Sequence, residues 1–197
     1  MLPPVKTHTT SQKEKHLIRK KTLNQRLKSD KKELKRQSHE IMRKLLVTRI
    51  FQKGKNILFY MPIQNEVDTK PLIEFTMKKN KNVLVPRVEN EESMDSYKIN
   101  SLKDLIVGKF DVLEAKKSCE KFPKKDIDLI IIPGIAFDER GYRIGFGKGY
   151  YDNFLKGLRA RKIALAYDFQ IVKNIPGESH DIKMDVIITP TKTIVPK

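Results

Sequence analysis

The chain has 197 residues, 39% of them hydrophobic, and carries 41 Lys/Arg against 24 Asp/Glu for a formal charge of +17. The length suits one compact domain, and apolar runs as short as Leu129–Ile132 exclude a membrane helix, which needs roughly 20 apolar residues. Cys119 is the only cysteine, which excludes an internal disulfide and suits a reducing cytoplasm. Residues 1–12 are expected to be flexible, residues 13–53 to form a basic helical segment, and residues 54–197 to form an α/β body within a single domain. Residues 1–53 hold 16 Lys/Arg and 4 Asp/Glu, whereas the remainder holds 25 and 20, so the excess charge belongs mainly to the first segment. A transit peptide is an alternative reading of the first 28 residues, where Glu14 is the only acid.

Leu17, Ile18, Leu23 and Leu27 fall near helical spacing and predict an amphipathic helix over 13–28. Asp30 followed by Glu33 has the form of a capping box, and Leu34, Ile41, Met42, Leu45 and Leu46 then trace a stripe toward Gly54. The pattern next predicts a strand over 56–61, a loop carrying Glu66, a helix over 72–79 with Pro71 in its first turn, and a strand over 82–88 that ends or loses pairing at Pro86. Residues 89–125 have weak periodicity and read as an exposed Lys-rich connection with a short extended piece near Tyr97 and Ile99. The run Asp128–Ile132 predicts a strand buried on both faces, followed by a glycine loop, a helix over 150–158, a strand over 162–167 and a last strand over 186–189. Strands alternating with helices predict a mostly parallel sheet covered by helices.

The glycine loop carries the chemistry. Gly145, Gly147 and Gly149 stand at every second position and lead through Lys148, Tyr150 and Tyr151 to Asp152 at a helix start. Glycines let backbone N–H groups approach phosphate oxygens, a helix N-terminus adds partial positive charge, and Arg143 and Lys148 would supply full charges. The spacing is neither that of a P-loop nor a dinucleotide fingerprint, so an ordinary flexible turn is the competing reading. Asp152 reads either as a magnesium ligand or as a helix-stabilising acid, and Asp181, after Ser179-His180, as a second metal carboxylate or a turn residue. The two tyrosines would flank a ring or phosphate, or fill the space between helix and sheet. Ligands of open α/β sheets gather outside the carboxyl ends of the strands, which collects Glu66, Arg87, the glycine loop, Asp181 and Asp185 at one mouth. The histidines show no zinc spacing.

Pro133-Gly134-Ile135-Ala136-Phe137-Asp138 and Arg143-Ile144-Gly145-Phe146-Gly147-Lys148-Gly149-Tyr150-Tyr151-Asp152 carry a resemblance, supported by Lys15-His16-Leu17-Ile18-Arg19, Glu66-Val67-Asp68-Thr69 and Asp181-Ile182-Lys183-Met184-Asp185. In this order they resemble the 5-formyltetrahydrofolate cyclo-ligases, also called 5,10-methenyltetrahydrofolate synthetases, over nearly the whole chain. Ile18 and Ile144 replace leucine, and Phe146 stands where tyrosine, arginine or methionine occurs. The resemblance implies a three-layer Rossmann-like sandwich and an ATP- and magnesium-dependent ligase acting on a reduced folate. It assigns Lys15, Arg19 and the stretch Arg143, Gly145, Phe146, Gly147, Lys148, Gly149, Tyr150 and Tyr151 to ATP, with Arg143, Lys148 and Tyr151 the catalytic candidates. Met61, Glu66, Phe146 and Tyr150 would meet the folate, and Asp152 and Asp181 the metal. The expectation that goes with it is a cytoplasmic monomer acting on a small folate substrate, with or without a polyglutamyl tail, and on no nucleic acid or membrane. The rivals are an RNA-associated protein using residues 13–53, where Phe51 is the only aromatic for stacking, and a relative that binds without turnover.

Overall fold

A computed structural model describes residues 10–178 and 181–197. The expected flexibility of 1–12 and the Ser179-His180 pair thus fall largely outside the described residues, though Thr10–Gln12 already belong to the first helix. That helix, α1, spans Thr10–Lys28, followed by α2 (Lys31–Leu46) and α3 (Arg49–Lys53). The Asp30 side chain accepts the Glu33 N–H at 2.8 Å and starts α2, but only this half of the predicted capping box forms, since the Glu33 carboxylate accepts from Arg36 and Gln37 instead. The helix does not run on to Gly54. Thr48 interrupts it, donating its hydroxyl to the Leu45 carbonyl and accepting the Phe51 N–H, which offers the backbone a cap in place of another turn.

The body continues with β1 (Asn56–Leu58), α4 (Lys70–Lys78), β2 (Asn82–Val88), β3 (Met94–Ile99), β4 (Leu105–Val107), β5 (Leu113–Ala115) and β6 (Glu120–Phe122). Next come β7 (Leu129–Ile132), β8 (Ala136–Asp138), β9 (Arg143–Ile144), α5 (Tyr150–Leu155), β10 (Arg161–Leu165), β11 (Ile171–Val172), β12 (Val186–Ile188) and β13 (Thr193–Ile194). The main sheet has the order β13-β12-β10-β7-β1-β2-β3-β6. Its five central strands, β12, β10, β7, β1 and β2, are parallel, and antiparallel strands close both edges.

Side chains alternate across this sheet and define three layers. Ile57, Val83, Leu129, Ile131 and Ile163 point to a core shared with Leu34, Ile41 and Leu45 of α2, Phe51 of α3 and Leu72 and Ile73 of α4. Leu58, Leu84, Ile130, Ile132 and Ala164 point the other way, onto Phe137 of β8 and Phe154 and Leu155 of α5. No helix among the described residues is long and apolar enough to cross a membrane.

Three local expectations are corrected. Residues 89–125 form four strands; β3 pairs with β2 on one side and β6 on the other and is largely buried, whereas β4 and the edge strand β6 are mostly exposed, so no single period runs through the segment. Pro86 costs pairing on one side alone, because β1 stops at the Leu58–Leu84 register while β3 pairs on through Val88–Met94. The helix after the glycine loop ends at Leu155, where Lys156 leaves helical geometry and Gly157 turns the chain at φ +75°.

A three-stranded sheet, β11-β8-β9, holds the glycine loop against the body. Asp138 organises it from a fully buried position, accepting the N–H groups of Arg140, Tyr142 and Ile175 and pairing with the Arg140 guanidinium at 2.7 Å. At Gly134 a Cβ would lie 2.4 Å from Phe137 Cζ. Gly134→Ala is therefore expected to destabilise the fold by about 1–3 kcal/mol, read as a lower denaturation midpoint with unchanged slope.

Candidate active site

The chain order of the parallel strands reverses between β1 and β7, and in such sheets the crevice outside the carboxyl ends at the reversal is the binding position. Two loops meet there. After β1, Gln64 and Asn65 adopt positive φ of 48° and 59°, and this tight turn brings Glu66 back to accept the Ile63 N–H at 3.1 Å. After β7 comes Gly134, whose carbonyl accepts from Arg26 Nη1 at 3.1 Å and Gln170 Nε2 at 3.0 Å.

Helix α1 crosses this crevice with its polar side inward. Lys15, Arg19, Thr22 and Arg26 recur at helical spacing; Thr22 and Arg26 are buried, whereas Leu17 and Leu27 are exposed. The predicted apolar stripe is thus only in part the packing face: Leu17 and Leu27 face solvent, Ile18 packs beside Ala136 and Ile144, and the inward side is mainly polar because the crevice offers carboxylates and carbonyls. Lys15 Nζ lies 2.8 Å from Asp181 Oδ2 and 3.6 Å from Glu178. Arg19 Nε donates to the Gly145 carbonyl at 2.8 Å. Arg26 approaches Glu66 at 3.7 Å and sits 6.0 Å from the Phe146 ring centre.

The glycine loop lies beside α1. Gly147 and Gly149 adopt φ +94° and +73°, a left-handed region that favours glycine, and nothing lies within 4 Å of a Cβ built on Gly149. Residues Phe146, Gly147, Lys148 and Gly149 are exposed, so the loop presents open backbone to solvent. Lys148 Nζ stands 5.9 Å from the Phe110 ring, which in turn lies 6.3 Å from Tyr150. Arg143 is buried, donates to Asp152 Oδ1 at 2.7 Å and sits over the Tyr151 ring at 5.5 Å. With six residues, α5 contributes less aligned dipole than the longer helix expected from the sequence.

Beneath the loop is a buried polar cluster of Arg26, Glu66, Tyr60 and Tyr167, with Tyr151 half-buried beside it. Burial pushes the Glu66 carboxyl up to about 7, against the opposing pull of the Arg26 charge and the Ile63 N–H. The same burial raises the phenols of Tyr60, Tyr151 and Tyr167, which therefore stay protonated as donors. Tyr60 donates to the Val67 carbonyl at 2.8 Å, and the Tyr167 hydroxyl bridges Ser38 and the Glu66 carbonyl. Met61 is packed in the core beside this cluster, with 3% of its surface exposed.

Not every predicted residue joins the crevice. Asp185 accepts the Lys162 N–H at 2.7 Å and pairs with its Nζ at 3.2 Å, at the amino ends of β10 and β12, opposite the mouth. Arg87 braces β5 by donating to the Ala115 carbonyl at 2.6 Å. Among the described residues no three His, Cys, Asp or Glu side chains gather as a metal cage. Asp152 and Asp181 are hard oxygen donors that fit magnesium in the manner of sites holding it with one or two carboxylates and substrate phosphates. Arg26, Tyr60 and Tyr167 are what sequence reasoning missed; the signal for Arg26 was its spacing seven residues beyond Arg19, hidden by the leucines at helical spacing on the same helix.

A model of the 5-formyltetrahydrofolate cyclo-ligase family matches residues 11–190. The chain belongs to this family. Among cyclo-ligase relatives, a probable 5-formyltetrahydrofolate cyclo-ligase of Schizosaccharomyces pombe is 33% identical over 175 residues, covering 80% of this chain and 86% of the relative. The 5-formyltetrahydrofolate cyclo-ligase of Mus musculus is 31% identical over 185 residues, covering 84% and 89%. The NMR structure of Aquifex aeolicus 5,10-methenyltetrahydrofolate synthetase superposes with a TM-score of 0.84 at 37% identity, covering 92% of each chain. The cyclo-ligase match thus spans the α1 cations, the Glu66 turn and the glycine loop together.

Proposed function

We propose that the chain closes the ring of 5-formyltetrahydrofolate to 5,10-methenyltetrahydrofolate at the expense of ATP, releasing ADP and phosphate. The observation that carries this reading is the family match over 11–190, which takes in every element around the crevice. A formyl group on nitrogen is a poor electrophile, and its oxygen leaves poorly as water. In the proposed reaction the formyl oxygen attacks the γ-phosphorus and the bond to ADP breaks. The neighbouring folate nitrogen then attacks the activated carbon and loses its proton, and the carbon–oxygen bond breaks to release phosphate.

Such chemistry needs alignment and charge neutralisation more than a nucleophilic side chain. Lys15, Arg19 and the backbone of Gly145, Gly147 and Gly149 would hold the phosphates, with Lys148 and Arg143 facing the charge that develops on transfer. Tyr151 would separate the two substrates, and Phe146 and Tyr150 would close over the folate held by Met61 and Glu66. Asp152 and Asp181 would hold magnesium, which supplies neutralisation of the phosphate oxygens when bound. A cytoplasmic monomer that accepts a polyglutamyl tail on the exposed lysines of α1 completes the proposal. The RNA reading loses support because Lys15, Arg19 and Arg26 face the crevice and Phe51, its one stacking aromatic, is buried in the core.

The expected result is ADP release that depends strictly on 5-formyltetrahydrofolate and rises in step with the methenyl absorbance. Folded protein that binds ATP and the folate but shows neither signal would favour the non-catalytic relative.

A further inference from the structure

Arg26 is 1% exposed, yet among the described residues Nη1 alone of its guanidinium nitrogens has a hydrogen bond, to the Gly134 carbonyl. Its Nε and Nη2 have none. Facing it, Glu66 Oε2 is held by the Ile63 N–H, while Oε1 lies 3.7 Å from Arg26 Nη1, beyond hydrogen-bond distance, and also has no partner. Buried polar atoms without partners are rare, and three within one ion pair mark a place where something else completes the bonding.

We propose that Arg26 is a positioning residue for Glu66: anchored on the Gly134 carbonyl, it holds the buried carboxylate as an anion with Oε1 left open to accept N–H donors of the substrate's pterin ring. The inference rests on the reading of Glu66 as a folate contact. A pterin presents adjacent N–H groups, for which an ionised carboxylate with one uncommitted oxygen is the complementary acceptor. Arg26 at 3.7 Å supplies the charge without consuming that oxygen, as a closer fork would. Among the described residues the other groups around Glu66 give no second cation in contact. They are the Tyr60 phenol after β1, Tyr151 on α5, Tyr167 after β10 and, behind Tyr151, Arg143 of β9, already paired with Asp152. Burial favours neutral Glu66, and the Arg26 charge is the largest effect opposing it. Helix α1 thus reaches the nucleotide loop through Arg19 and the folate carboxylate through Arg26, so one rigid element spans both halves of the site.

The test is steady-state kinetics with 5-formyltetrahydrofolate at saturating ATP from pH 6 to 9, on wild type, Arg26→Met, Arg26→Lys, Glu66→Gln and the Arg26→Met/Glu66→Gln pair. In wild type kcat/KM should rise with pH through about 7 as Glu66 ionises. Arg26→Met should move that midpoint upward by at least about one unit, a loss of about fivefold or more in kcat/KM at pH 7 expressed mainly in KM and recovering toward pH 9. Arg26→Lys should keep the wild-type midpoint but raise KM, since an ammonium cannot hold Gly134 and face Glu66 with the same fork. The double variant should lose little beyond Glu66→Gln. A uniform loss in Arg26→Met with the midpoint unmoved, accompanied by a lower melting temperature, would show a merely structural arginine. Should Arg26→Met not fold, an unchanged KM in Arg26→Lys overturns the proposal. A normal KM in Glu66→Gln would instead remove the folate-contact reading itself.

Discussion

Replacing Lys148 by alanine is expected to lower kcat about 10²–10³-fold, the usual effect of removing one group aimed at charge that develops in a transition state. The melting temperature should move by no more than about 2 °C, since exposed side chains away from packing features contribute within about 0.5 kcal/mol. Lys148 is exposed and its one aromatic neighbour is Phe110 at 5.9 Å, so nothing in the fold depends on it. Thermal melting and steady-state kinetics on the same preparation separate the outcomes. A large fall in melting temperature with turnover retained would make the loop structural, and unchanged kinetics would remove Lys148 from the reaction. Arginine at this position should rescue charge but not position, recovering part of kcat.

The second large effect concerns the carboxylates. Asp152→Asn and Asp181→Asn are each expected to raise the magnesium concentration for half-maximal activity by about 100-fold, at least the loss seen when an outer-shell partner of a metal ligand is removed. The two variants should differ in stability. Asp152 partners a buried Arg143 whose Nε already lacks a bond, so its neutralisation leaves a charge less compensated. Asp181 pairs with Lys15, and its Oδ2 also accepts the Glu178 N–H at 2.9 Å, so Asp181→Asn should loosen the far end of α1. Magnesium titration at fixed ATP reads the first effect, and denaturant melts read the second. Variants that lose stability with an unaltered magnesium requirement would assign both aspartates to the ion pairs alone.

Legibility varied with how local the cause was. The strand at β7 reads as Leu129–Ile132 because burial on both faces leaves an uninterrupted apolar run, and α2 reads from Asp30 because its cap lies three residues from the group it bonds. Strands β3 to β6 are harder to read, since their pairing comes from β2 and from one another and the exposed faces of β4 and β6 dilute any period. In α1 the leucines and the cations are both helically spaced, and spacing alone cannot say which face a neighbour will accept. Asp138 was overlooked as the anchor of the glycine-loop sheet, because its partner Ile175 is 37 residues away.

By itself the sequence determined the α/β class, the glycine loop with its flanking Arg143, Lys148 and Asp152, and the resemblance that named the chemistry. All of these reside in residue type and short spacing, which physics makes local. The tertiary structure alone decided where that loop faces. The reversal of strand order between β1 and β7 opened the crevice, and the polar face of α1 bridged it. Burial then set a carboxylate and an arginine, 40 residues apart in the chain, within 3.7 Å. Burial and charge proximity are properties of the packed chain, so the ionisation of Glu66 could not be read before the fold was known.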